Sequence, residues 1–298
     1  MDKILFSMPG NEQLAKSISN GINCSMGKFV FHHFPDEESY IKLESDVNGK
    51  EAIIVCTLDR PDNKFLPLYF LAEIIRDAGA DKITLVTPYL AYMRQDKKFN
   101  PGECITSEHF ANILSSFIDE VITVDPHLHR ISSLDSIYSI PTKVINSTPF
   151  ISKWIKENIS NPILIGPDME SKQWVSRVAK DADAPYVVLV KSRLGDKNVK
   201  VSIPHIHKYI DKYTPVIVDD IISTAVTMIK TVEHLKEAGA KPPVCIGIHA
   251  VFSGDSFKEL NASGVEKIIT CNTIPHPTNS IDLSEVFIKL LQLHPVKI

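Results

Sequence analysis

Two adjacent carboxylates at the end of an apolar strand are the residues of this chain that most demand a chemical explanation. They stand in "VIVDDIISTAVT", residues 216–227, where Asp219 and Asp220 follow Val216, Ile217 and Val218. Neighbouring negative charges repel, and burying them without compensation is unfavourable. Either solvent reaches them or a bound group offsets them. The segment then opens a helix with hydroxyl-bearing and small residues: Ser223, Thr224, Ala225, Val226 and Thr227. Backbone N–H groups at a helix start lack intrahelical partners and favour anions, so a phosphate fits there. The carboxylates just upstream can accept hydrogen bonds from sugar hydroxyls, so the segment as a whole suits a phosphorylated sugar. An ordinary N-cap accounts for Ser223 or Thr224 but not for the acidic pair.

Other segments offer chemistry of a matching kind. In "VVLVKSRLGD" Lys191 and Arg193 stand two apart past a strand. Residues i and i+2 of an extended segment point the same way. Two cations on one face suit a pyrophosphoryl group in transfer, whose transition state spreads negative charge; a solvated charge pair is the plainer alternative. "PYLAYMRQDKKF" carries Arg94, Gln95, Asp96 and Lys97. Its cations can hold polyphosphate, and its Gln and Asp can hold base or sugar groups, while an exposed charged loop is again the plainer reading. "FHHFPDEESYIKL" reads by itself as a polar turn between strands. In "TVDPHLHR" His127 follows Asp125 by two, and in "ILIGPDMESKQW" Asp168 ends another apolar strand.

The elements that must position these residues alternate. Short β-branched runs, among them "KILFS", "AIIVCT", "KITLVT", "EVITVD", "PILIG", "YVVLVK", "PVIVDD" and "VCIGIHAVF", are separated by amphipathic helical stretches. That pattern implies an α/β fold of mostly parallel sheets flanked by helices. The runs are nearly continuous in apolar residues, as expected of strands covered on both faces. "LAEIIRDAGADKITLVTPY" and "TVEHLKEAGAKPPVCIGIHAVF" share one grammar of helix, Gly and strand, which points to two similar halves. The Pro-, Ser- and Thr-rich stretch "PTKVINSTPF" reads as their boundary. The expected domains are 1–145 and 146–283, with 284–298 packing back on the first. In open α/β sheets ligands sit at the carboxyl ends of strands, where all of these candidates lie.

Composition narrows the function classes. The chain has 298 residues, a length suited to two moderate domains. A formal net charge of −4 gives no nucleic-acid footprint. Five scattered cysteines without a Cys-x-x-Cys argue against a zinc site or disulfide framework and fit a reducing cytoplasm. The apolar runs are too short to cross a membrane, and "MDKILFSMPGNEQ" does not read as a signal peptide.

Taken in order, these segments resemble the ribose-phosphate pyrophosphokinase family. "VIVDDIISTAVT" is similar to the phosphoribosyl pyrophosphate loop that the family shares with type I phosphoribosyltransferases. "PYLAYMRQDK" and the Phe-x-Asp-x-Glu of Phe34, Asp36 and Glu38 resemble the ATP-binding segments that the transferases lack. Asp125-x-His127, Pro167-Asp168 and Lys191-x-Arg193 match further family motifs. The resemblance implies two phosphoribosyltransferase-like domains and the substrates ATP and ribose 5-phosphate. It implies ATP contacts from Phe34, Asp36, Glu38, Arg94, Gln95, Asp96 and Lys97. It implies Mg²⁺ on His127 and Asp168, catalysis by Lys191 and Arg193, and a sugar-phosphate site at Asp219, Asp220 and residues 223–227. It also implies a homo-oligomer with a shared ATP site.

Three departures stand out. Val226 and Glu37 occupy positions where the family has Gly, and Met169, Glu170 and Ser171 replace small residues after Asp168. If the phosphate loop needs positive φ at Val226, a β-branched residue there is unfavourable. The loop after Lys97 lacks the basic residues of regulated members and resembles the branch without allosteric control. A phosphoribosyltransferase and a non-catalytic homologue are the rival readings.

Overall fold

The computed structural model describes residues 1–169, 171–194, 198–202 and 212–293, with backbone alone for 190–194 and 198–202. The chain divides into two compact units, Met1–Ile145 with Ser284–Ile298, and Asn146–Leu283.

The first unit runs β1 (Lys3–Ser7), α1 (Glu12–Ile22), β2 (Ser25–Met26), β3 (Phe29–His33), β4 (Ser39–Leu43), β5 (Glu51–Val55), α2 (Asp62–Asp77), β6 (Lys82–Thr87), α3 (Thr106–Phe117), β7 (Glu120–Val124) and β8 (Thr142–Ile145). Its sheet is parallel in the order β2-β1-β5-β6-β7-β8. The antiparallel hairpin β3–β4 stands outside that sheet and packs on α2. Helices cover both faces, so β5 and β7 are buried along their whole length. α2 buries Leu68, Leu71, Ala72 and Ile75, the helical stripe that its sequence shows.

The second unit runs α4 (Thr148–Asn158), β9 (Pro162–Gly166), α5 (Lys172–Ala182), β10 (Tyr186–Val188), β11 (Val190–Leu194), β12 (Asn198–Ser202), β13 (Thr214–Ile221), α6 (Val226–Glu237), β14 (Val244–His249), α7 (Ser256–Ala262), β15 (Lys267–Cys271) and β16 (Asn279–Ile281). Its sheet is parallel in the order β10-β9-β13-β14-β15-β16, with an antiparallel hairpin, β11–β12, apart from it. Strand for strand, this is the topology of the first unit. Each sheet's last strand is followed by a helix that packs at the side of a first helix. α4 lies on α5, and α8 (Ser284–Gln292) returns to α1. Gln292 Nε2 donates to the Gly21 carbonyl at 2.8 Å. Ile288 fills the space beside Gly21, where an added Cβ would come within 2.3 Å of it.

Some elements differ from the sequence reading. "YVVLVK" is two strands: Leu189 N–H donates to the carbonyl of Gly166, the last residue of β9, and no ladder continues past that point. "VCIGIHAVF" stops at His249, because the Val251 N–H turns back to the His249 carbonyl and Phe252 adopts φ 31°. The stretch read as the boundary, around 143–149, begins within β8, an edge strand that only partly buries its residues. Short edge strands need little apolar pattern, and β2, β4 and β16 are equally inconspicuous.

At the strand starts of the first sheet lies a charge ladder. Glu51 Oε2 meets Lys3 at 3.4 Å and Oε1 meets Lys82 at 3.2 Å, while Glu120 meets Lys82 at 2.5 Å and Lys143 at 2.8 Å. Burial pulls Glu51 upward, but the Thr84 hydroxyl and then Lys3 and Lys82 outweigh it and hold it below its ordinary pKa. Among the described residues no helix is long and apolar enough to cross a membrane.

Candidate functional site

β13 is the longest strand of its sheet, and it outruns a neighbour. Its ladder to β9 ends at Ile217↔Ile165, while its ladder to β14 continues through Asp219↔Gly247 and Ile221↔His249. Asp219 and Asp220 therefore project past the end of β9, and Asp168 follows that end two residues on. Asp219 Oδ1 accepts the Asp220 N–H at 3.1 Å, Asp220 Oδ1 the Ile221 N–H at 2.8 Å, and Asp168 Oδ1 the Ser171 N–H at 3.0 Å. Desolvation at the strand end, then the charges of Asp220 and Asp168, push Asp219 well above the usual carboxylate range. Carboxylate oxygens gathered at this strand end are hard donors of the kind a divalent cation such as Mg²⁺ prefers.

The turn after β13 departs from a simple N-cap. The residue before α6 is Ala225, with φ 57°, and no side chain caps the helix. The plain explanation of Ser223 and Thr224 as caps therefore fails, and the helix start remains open to a ligand. The strain expected at Val226 sits one residue earlier. Val226 is the first helical residue and is 48% exposed, and the positive φ belongs to Ala225. Met169 is 55% exposed, Ser171 caps its own turn by donating from Oγ to the Asp168 carbonyl at 2.6 Å, and Glu170 lies outside the described residues.

Lys191 and Arg193 both lie on β11, opposite Val201 and Val199 of β12; their side chains lie outside the description. The first unit carries the other candidates. Phe34, Asp36 and Glu38 form the turn of the β3–β4 hairpin, closed by Phe34 N–H to the Glu38 carbonyl at 2.8 Å. Phe34 is 45% exposed, and Glu37 takes φ 68°, the conformation a Gly would supply. Arg94, Gln95 and Lys97 are exposed past β6. Asp96 is not: its side chain is 1% exposed, and both oxygens accept from Arg130 Nη1 at 3.1 and 3.2 Å. His127 stands past β7 with φ 33° and its ring 4.0 Å from that of His129.

Sequence reasoning missed Arg130, whose one signal was a basic residue closing "TVDPHLHR". It also missed Asp62, to whose carboxylate the Tyr92 hydroxyl donates; that bond, with burial, pushes Tyr92 up to about 12. Residues 250–252 were missed because they read as the tail of a strand, and Ser256 because it read as part of a helix over 254–263.

Comparison with known proteins shows the family and the fold. Residues 3–117 match the N-terminal domain of ribose phosphate pyrophosphokinase, and 133–286 match the phosphoribosyl transferase domain. The ribose-phosphate pyrophosphokinase of Saccharolobus solfataricus is 34% identical over 87% of this chain and 91% of its own. That of Buchnera aphidicola is 31% identical over 93% and 88%. The crystal structure of phosphoribosylpyrophosphate synthetase from Mycobacterium smegmatis superposes with a TM-score of 0.86 at 20% identity, covering 98% of each chain.

Proposed function

Because the chain belongs to the ribose-phosphate pyrophosphokinase family, we propose that it makes phosphoribosyl pyrophosphate from ATP and ribose 5-phosphate. The anomeric hydroxyl of the sugar attacks the β-phosphorus of ATP, a new oxygen–phosphorus bond forms, and AMP leaves. The observation that carries this reading is the acidic pair Asp219–Asp220 beside an uncapped helix start. Asp219 and Asp220 would accept from the 2- and 3-hydroxyls, and residues 223–227 would receive the 5-phosphate. Lys191 and Arg193 would stabilise the charge of the group in transfer.

The division of labour follows the two units. The first unit would bind ATP through Phe34, Asp36, Glu38, Arg94, Gln95 and Lys97, with Asp96 acting through Arg130. The second unit would bind the sugar phosphate. Mg²⁺ would neutralise polyphosphate charge when bound; Asp168 is the second unit's candidate to hold it, and His127 is the first unit's. The protein's own part is positioning and electrostatics, with no general base required. A homo-oligomer in which the Phe34 turn serves the ATP site of another copy belongs to the same proposal, as do a cytoplasmic location and the lack of allosteric control. Release of AMP from ATP and Mg²⁺, followed with and without ribose 5-phosphate, tests it. The reading requires AMP and phosphoribosyl pyrophosphate in equal amounts, only when the sugar is present; no sugar-dependent AMP overturns it.

A further inference from the structure

In the second unit, the loop between β14 and α7 grips the turn that follows β13. The Ile222 N–H donates to the His249 carbonyl at 3.0 Å and the Phe252 N–H to the Ile222 carbonyl at 2.8 Å. The Ser223 carbonyl accepts twice, from the Ser253 N–H at 3.1 Å and from Ser256 Oγ at 2.8 Å. Ser256 is itself buried, at 3% exposure.

The direction of those bonds matters. A trans peptide sets its C=O and N–H on opposite sides. With the Ile222 and Ser223 carbonyls turned into the β14–α7 loop, the N–H groups of Ser223 and Thr224 face the other way. Among the described residues neither meets an acceptor. They are the donors immediately ahead of Ala225 and the open start of α6.

The loop that does the gripping is held in an unfavourable backbone conformation. Phe252 has φ 31°, a region that L-residues seldom adopt. Its ring stacks on His276 at 4.6 Å and meets Phe257 edge-on at 5.3 Å. His276 Nδ1 accepts the Thr278 N–H at 3.3 Å, which fixes that ring from the β15–β16 connection. On the other side Ile222 packs over Gly247, where a Cβ would come within 2.6 Å of Ile222 Cδ1. The turn is thus fixed from β14, α7 and the β15–β16 connection.

We infer that Phe252, Ser253 and Ser256 are positioning residues for the sugar phosphate: through the Ile222 and Ser223 carbonyls they aim the Ser223 and Thr224 N–H groups at the 5-phosphate, without touching substrate. This rests on the reading of residues 223–227 as the 5-phosphate site. It assigns work to residues that read, in the sequence, as the end of a strand and the start of a helix.

The test uses Ser256→Ala, which removes one donor to the Ser223 carbonyl and little packing, and Ser256→Thr, which keeps the hydroxyl. Ser256→Ala should raise the KM for ribose 5-phosphate about 5–10-fold, the equivalent of one hydrogen bond. The KM for ATP should stay within about two-fold, and Ser256→Thr should restore the ribose 5-phosphate value. Amide hydrogen exchange at Ser223 and Thr224, with and without ribose 5-phosphate, gives a readout independent of turnover. Ligand should protect both amides in the unaltered chain and protect them less in Ser256→Ala. If the unaltered chain shows neither sugar-dependent turnover nor protection, the sugar-phosphate reading fails and takes this inference with it. If it shows both, the inference alone is overturned by a Ser256→Ala chain that keeps its KM and its protection, or by an equal rise in both KM values.

Discussion

At the strand starts of the first unit's sheet, Glu51 and Glu120 are 3% and 2% exposed, and each meets two lysines. At the far end of β13 in the second unit, the charges that act on Asp219 are those of Asp220 and Asp168. The sheets share one topology, yet in one the buried acids meet lysines, and in the other Asp219 has the charges of Asp220 and Asp168 beside it. The first arrangement is complete within the protein. In the second, desolvation and its acidic neighbours raise the Asp219 pKa, and sugar hydroxyls donating to it or an approaching cation would favour its ionised form. Under the proposed function, charged groups serve structure at the strand starts of one sheet and would serve a ligand at the far end of the other.

The largest expected effect breaks the compensated side. Glu51→Gln leaves Lys3 and Lys82 facing a neutral amide and should destabilise the first unit by about 3 kcal/mol, in the range for a buried pair that loses one partner. Thermal or urea unfolding measures it; a loss below about 0.5 kcal/mol would make the ladder ornamental.

Acid should then separate the two ends. Glu51 has a lowered folded pKa, so its contribution is present above the unfolded value of about 4.3 and is lost as pH falls through the folded value. Asp219 has a raised folded pKa, so its contribution is full below the unfolded value of about 3.9 and is lost as pH rises through the folded value. Comparing unfolding of the unaltered chain with Glu51→Gln and Asp219→Asn from about pH 7 to about pH 5 isolates each slope. The destabilisation from Glu51→Gln should hold across that range, while any gain from Asp219→Asn should shrink toward acid. Parallel slopes would erase the distinction.

The smallest effect sharpens a backbone parallel. A left-handed non-glycine residue occurs in both strand-to-helix turns, Arg60 with φ 52° before α2 and Ala225 with φ 57° before α6. Ala225→Gly should relieve strain worth about 1 kcal/mol, less what the more flexible unfolded chain takes back. Val226→Gly should give no gain. The two melting temperatures decide it, and a gain confined to Val226→Gly would contradict the turn described here.

How far the sequence showed this depends on which residues are considered. Asp219 and Asp220 were legible because two carboxylates after an apolar run are locally incongruous. The βαβ alternation was legible because near-continuous apolar runs mark strands covered on both faces. The ladder of Lys3, Glu51, Lys82, Glu120 and Lys143 was not, since only strand register brings together residues so far apart in sequence. The strain was assigned to Val226 because residue type was visible and φ was not. Nothing in the sequence signalled that Arg130, 34 residues on, pairs with Asp96. Ser256 gave no sign, because its role lies in which carbonyl it reaches.

The central claim is that the acids at the end of β13 serve a ligand at the expense of stability. Asp219→Asn keeps the acceptor for the Asp220 N–H and removes the charge. Unfolding at pH 7 and calorimetric titration with ribose 5-phosphate, made on the same protein, test the claim together. The account requires the melting temperature to rise, while affinity for ribose 5-phosphate falls at least about ten-fold. A variant that binds the sugar phosphate as the unaltered chain does, with no gain in stability, would contradict it.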